Sequence, residues 1–148
     1  MLGTLKRLVT HVCTPDELDM IEHYQTRAER LADLWVHAVG LMLAAVGGVV
    51  LAGLAGVYTG VGGVLATAIY ALCLIGMLTA STLYNWTNPC AARPVLRRLD
   101  EAAIFLMIAG SYTPFTTQRF EGLWSIGFTA LIWTLAFVGA GVKLFAPR

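Results

Sequence analysis

Between Leu34 and Ala92 the chain carries no Asp, Glu, Lys or Arg, although charged residues flank this stretch on both sides. A single membrane crossing needs about 20 apolar residues, so a run of this length cannot be one helix and must double back on itself. The turn is legible at Gly56-Val57-Tyr58-Thr59-Gly60-Val61-Gly62-Gly63, where glycines gather and a tyrosine can sit at the interface. Charged residues make up 13% of the whole chain and hydrophobic ones 57%, whereas soluble domains are about 25% charged. An all-α, polytopic membrane protein follows.

The expected layout is a transmembrane domain over residues 34–148, with helices at about 34–55, 64–86, 99–116 and 123–144, preceded by a segment, 1–33, outside the membrane. Within that segment Thr14-Pro15-Asp16-Glu17 reads as a helix start, with Thr as N-cap, Pro at the first helical position and Glu closing a capping box. The residues after it suit an interfacial helix. The first residues lack the apolar core and small-residue cleavage site of a secretory signal, so no cleavage is expected. With the N-terminus in the cytoplasm, nine of the ten Lys and Arg residues lie on the cytoplasmic side and only Arg119 lies outside. That asymmetry predicts a multi-pass cell-membrane protein with both termini cytoplasmic. No basic stripe is available to follow phosphates, which argues against nucleic acid as a partner. Cys13, Cys73 and Cys90 show no paired or metal-binding spacing and read as free thiols. Ala44, Gly48, Ala52 and Gly56 recur at every fourth residue of the first helix, a face suited to close helix packing inside the chain or to a helix–helix oligomer.

In this topology His37, Ser81, Asn85 and Asp100 fall at one depth, near the cytoplasmic surface. Ser81 and Asn85 are four residues apart and share a helical face, and Glu29, Asp33 and His37 repeat that spacing. Convergence of three helix ends into one polar pocket is the functional reading, since ionisable groups within a membrane are costly. Each residue also has a structural reading. Asp100 and Glu101 suit the first turn of a helix, Ser81 can bond back to the Met77 carbonyl, Asn85 can cap its helix, and His37 can be solvated at the interface. Farther along, Pro114 in Ser111-Tyr112-Thr113-Pro114 predicts a kink or a helix end, with the Ser111 and Thr113 hydroxyls available to the freed backbone.

The runs ERLADLWVHAVG (Glu29 to Gly40), STLYN (Ser81 to Asn85) and RRLDEAAIFLMIAGSYTPF (Arg97 to Phe115) resemble, in order and spacing, the signature blocks of the hemolysin III family, which belongs with the progestin and adipoQ receptors. The resemblance implies a seven-helix bundle with a cytoplasmic N-terminus, of which this chain would be the first four helices. It also implies a lipid-amide hydrolase-like site in which zinc is held by one His of the second helix and two of the last, beside a Ser and an Asp. Ser81 and Asp100 match that Ser and Asp and are the family-implied catalytic residues, with His37, Asn85 and Glu101 as pocket residues. Asn85 stands where the family has its zinc-binding His, Glu101 stands where a His often follows the Asp, and no last-helix His pair is present. A neutral amide is a poor zinc ligand, so no metal ligands and no cofactor are expected for this chain.

Three functions remain open at this level. The first is an incomplete or altered member of the hydrolase-like group, acting on a lipid within the bilayer and inactive alone or a fragment. The second is a membrane-perturbing protein, as the family name suggests. The third is a structural or assembly protein.

Overall fold

The computed structural model describes residues 27–87 and 93–145. The helix start at Thr14, most of the interfacial segment, Cys13 and Cys90 lie outside the described residues. Four helices follow one another: α1 (Arg27–Tyr58), α2 (Gly60–Trp86), α3 (Arg93–Arg119) and α4 (Gly122–Phe145). No strand occurs among the described residues. Three of the helices, within Ala28–Tyr58, Gly60–Trp86 and Gly122–Phe145, are long and apolar enough to cross a membrane. The fourth, α3, carries charges at both ends, but its middle from Ala102 to Gln118 has none, and it packs between α2 and α4. The chain is an all-α, multi-pass membrane protein.

Substantial contacts join each helix to the next in the chain, so the helices stand in file as alternating antiparallel neighbours. The turns between them are short. Thr59 alone separates α1 from α2, and Gly60 supplies the positive φ, +70°, that lets the chain reverse. Gly122, with φ +58°, does the same between α3 and α4.

The interior is made of small residues and the surface of large ones. Ala44, Ala66, Ala71, Ala102, Ala109, Ala136 and Ala140 are buried, while Trp35, Leu123 and Phe145 are 70%, 86% and 83% exposed. In water such a surface would be a large apolar patch; in lipid it is the expected solvent-facing side, and helices associate through small side chains that allow close approach. The successive helix pairs are built that way. A Cβ placed on Gly48 of α1 would lie 2.8 Å from the Ala71 Cβ of α2, one on Gly110 of α3 would lie 2.6 Å from the Cys73 Cβ of α2, and one on Gly139 of α4 would lie 2.5 Å from the Phe105 ring of α3. The small-residue face of α1 is therefore used, at Ala44 and Gly48, to pack α2 within the chain.

Several helix boundaries differ from the sequence expectation: α2 begins at Gly60 rather than about residue 64, so the turn read at Gly56 to Gly63 narrows to Thr59. Both α1 and α3 begin six or seven residues earlier than the apolar runs suggest, because a helix need not stop where hydrocarbon begins. At Pro114 the helix neither ends nor begins anew; α3 continues to Arg119. The Ser111 and Thr113 hydroxyls donate to the Ile108 and Ala109 carbonyls at 2.8 Å each, two residues and one residue before the Gly110 carbonyl that the proline leaves without its donor.

Candidate functional site

The alternating helices bring the start of α1, the end of α2, the start of α3 and the end of α4 to one Arg-rich end of the bundle. Backbone carbonyls left over at the helix C-termini are taken by arginines from a neighbouring element. Arg30 donates to the Trp86 carbonyl at 3.2 Å, and Arg98 donates to the Leu144 carbonyl at 3.2 Å. Glu101 binds Arg97 on its own helix and Lys143 on α4, each at 3.1 Å and each through a different carboxylate oxygen. The buried Arg93 guanidinium stacks over the Tyr84 ring, 5.4 Å from its centre, joining α3 to α2.

Inside this charged rim lies a smaller cluster drawn from three helices. His37 Nδ1 is 2.9 Å from the Asp33 backbone carbonyl and 3.4 Å from the Asp33 carboxylate, as the four-residue spacing on one face of α1 requires. A carbonyl oxygen accepts only, so Nδ1 carries the proton and, in the neutral ring, Nε2 is left as an acceptor. Nε2 lies 3.3 Å from the Ser81 hydroxyl of α2. Asp100 of α3 approaches the same hydroxyl and lies near Glu101 and His37. Ser81 thus turns away from its own backbone, whereas its neighbours Thr79 and Thr82 bond back to the Ile75 and Leu78 carbonyls at 2.7 and 2.6 Å.

Asn85, one turn beyond Ser81, does not join that cluster directly. It lines a cavity of about 10 Å³ with Arg30, Asp33, Leu34, His37, Thr82 and Trp86, about the space of one water molecule. Glu101 is committed to Arg97 and Lys143 at the rim. Of the five residues singled out from the sequence, the structure gathers His37, Ser81 and Asp100, sets Asn85 beside them, and assigns Glu101 to holding α3 against α4. Arg30 and Lys143 were not singled out. Lys143 could have been found by noting that antiparallel α3 and α4 bring the last turn of one beside the first turn of the other.

A second set of polar groups lies nearer the α3–α4 turn. Trp133 Nε1 donates to the Thr113 hydroxyl at 3.0 Å, and Thr116 and Thr129 share a hydrogen bond at 2.7 Å. Thr113 donates onward to the Ala109 carbonyl at 2.8 Å. Nearby in the chain, Phe128 stacks on Phe120 and on Trp124, and Phe115 meets Phe120 edge-on. Nothing in the sequence distinguishes these threonines from those that merely bond their own helix.

Among the described residues no group of three or more His, Cys, Asp and Glu side chains is arranged to hold a metal ion. Both nitrogens of the His37 ring are already engaged, one by Asp33 and one by Ser81.

Residues 25–147 match the haemolysin-III related family. The chain is 30% identical over 122 residues to the hemolysin-3 homolog of Bacillus subtilis (strain 168), an alignment covering 81% of this chain and 56% of that protein. It is likewise 30% identical over 120 residues to hemolysin-3 of Bacillus cereus, covering 81% of this chain and 55% of that one. The chain spans about half the length of these curated relatives. No solved structure matches it.

Proposed function

The chain belongs to the haemolysin-III related family, and from that premise we propose that the cluster at its Arg-rich end, on the cytoplasmic side of the cell membrane, receives the acyl portion of a membrane lipid. The contact of His37 with Ser81, with Asp100 closing in from a third helix, is the observation that carries this reading. Polar groups held together just inside the headgroup level are costly to maintain and mark functional sites. Arg30, Arg97, Arg98 and Lys143 set that level. The nine-to-one distribution of Lys and Arg supports the cytoplasmic assignment of this end and of both termini.

The resemblance to lipid-amide hydrolases implies zinc, and the residues present do not fit it. Asn85 offers an amide where an imidazole is needed, and His37 is the one imidazole among the described residues. When bound in such sites zinc polarises the carbonyl and acidifies a water; no step of that kind is assigned to this chain's own residues. Metal analysis of the purified protein beside a hydrolysis assay on a ceramide-type amide tests this. We expect sub-stoichiometric zinc and no chelator-sensitive turnover. One zinc per chain together with turnover that a chelator abolishes would overturn the reading.

Both relatives carry the name hemolysin-3, which favours a second reading, perturbation of a bilayer. A pore needs polar groups along the length of its lining, whereas among the described residues the Asp, Glu, Lys, Arg and His side chains gather at the ends of the bundle. Liposomes loaded with dye should retain it at low protein content, and prompt release would establish the lytic reading instead.

A further inference from the structure

We propose that Ser81 is the nucleophile of an acyl-transfer site that needs no metal, with His37 as its base, Asp33 as the residue positioning His37, and a lipid acyl group as substrate. This rests on the reading that the Arg-rich end receives such a group. The argument starts from the order of the contacts. The Asp33 backbone carbonyl accepts the Nδ1 proton at 2.9 Å, with the Asp33 carboxylate 3.4 Å from the same nitrogen, which leaves the Nε2 lone pair facing the Ser81 hydroxyl 3.3 Å away. An activated hydroxyl is recognised by this sequence of roles, nucleophile to base to orienting group, whatever the fold that presents it. A merely structural serine in α2 would do what Thr79 and Thr82 do, and bond its own helix.

Depth selects the substrate. Ser81 lies five residues before the end of α2, about 8 Å at 1.5 Å per residue. That is the boundary where headgroups meet acyl chains, and the ester and amide carbonyls of membrane lipids lie there. Attack forms a bond from Ser81 Oγ to the carbonyl carbon as the hydroxyl proton passes to His37 Nε2 and the π pair moves onto oxygen. Collapse breaks the bond to the leaving alcohol or amine, which takes the proton from Nε2. A water then repeats both steps, releasing the fatty acid and restoring Ser81. The cavity beside His37 has room for one water, and the Asn85 amide that lines it offers an N–H donor one turn from Ser81.

The test uses the full chain in lipid nanodiscs with EDTA, two fluorophosphonate probes bearing methyl and dodecyl chains, and peptide mass spectrometry to locate the adduct. An adduct at Ser81 is expected, absent in Ser81→Ala and formed about 100-fold more slowly in His37→Ala, since a general base contributes about 10²–10⁴-fold. Added imidazole should restore part of the His37→Ala rate, which a purely structural role would not allow. Asp33→Asn, which keeps the backbone carbonyl and removes only the carboxylate charge, should slow labelling less than His37→Ala does, and Asp33→Glu should recover the rate. Thr79→Ala should label like the unaltered protein. In Ser81→Cys, the new thiol should alkylate faster than Cys73, with the excess lost when His37→Ala is added. No Ser81 adduct with either probe, or labelling indifferent to His37, would overturn the nucleophile. Equal rates for the methyl and dodecyl probes would leave the nucleophile standing and overturn the lipid reading.

Discussion

Near the α3–α4 turn, Thr113, Thr116, Thr129 and Trp133 form a hydrogen-bonded set with no ionisable member; at the Arg-rich end, Asp33, His37, Ser81 and Asp100 form one in which three of the four side chains are acids or an imidazole. The first set closes on itself, because the Trp133 N–H and the Thr113 hydroxyl each find one acceptor and the other two threonines find each other. In the second, the single Ser81 proton faces two acceptors, His37 Nε2 and the Asp100 carboxylate. A membrane protein can bury polar groups as fasteners when donors and acceptors balance. An unbalanced set leaves a proton in dispute, and chemistry needs that.

Four substitutions probe this difference, each read as the change in stability when SDS unfolds the protein in mixed micelles. The largest effect should come from Gly110→Leu, which tests whether close packing matters more than hydrogen bonding around Thr113. Its new Cβ would meet Cys73 at 2.6 Å, and overpacking of this kind costs about 1–3 kcal/mol. Thr116→Val should follow, at about 0.6 kcal/mol or more, the average for hydrogen bonds between membrane helices, whose upper end is about 1.7 kcal/mol. A negligible change there would break the comparison by showing that the threonine pair is no fastener. Ser81→Ala should cost less than Thr116→Val, below about 0.6 kcal/mol, because water at the headgroup level can serve the acceptors it leaves; a larger loss would make Ser81 a fastener too. Glu101→Gln should cost a few tenths of a kcal/mol at most, shrinking further in high salt, since Lys143 is 46% exposed and such pairs are worth about 0.2–1 kcal/mol.

How much of this was legible in the sequence depends on which physical variable is asked about. Depth along the membrane normal was readable, because charge is excluded from hydrocarbon and so brackets each crossing; that is why His37, Ser81 and Asp100 could be set at one level. Rotation about each helix axis was not, since α2 and α4 are apolar nearly all round and no polar stripe marks an inner face. Hence Ser81 could equally have bonded Met77, and Glu101 could equally have faced the cluster. Pro114 misleads for a related reason. Its cost is computed for an isolated helix, but α3 is flanked by α2 and α4 and lined with hydroxyls that bond its backbone.

The two turns, described above only as reversals of the chain, bear on how the protein enters a bilayer. Tyr58, Thr59 and Gly60 join α1 to α2 without a charge, so a hairpin inserting turn first drags no ion through hydrocarbon. The α3–α4 turn carries Arg119 and Glu121, and charged residues cost about 2.5–3.5 kcal/mol each at mid-membrane. With the Arg-rich end cytoplasmic, as proposed, both turns must cross, so assembly should be ordered. The first hairpin can insert unaided and then offer the second a protein surface along which to cross.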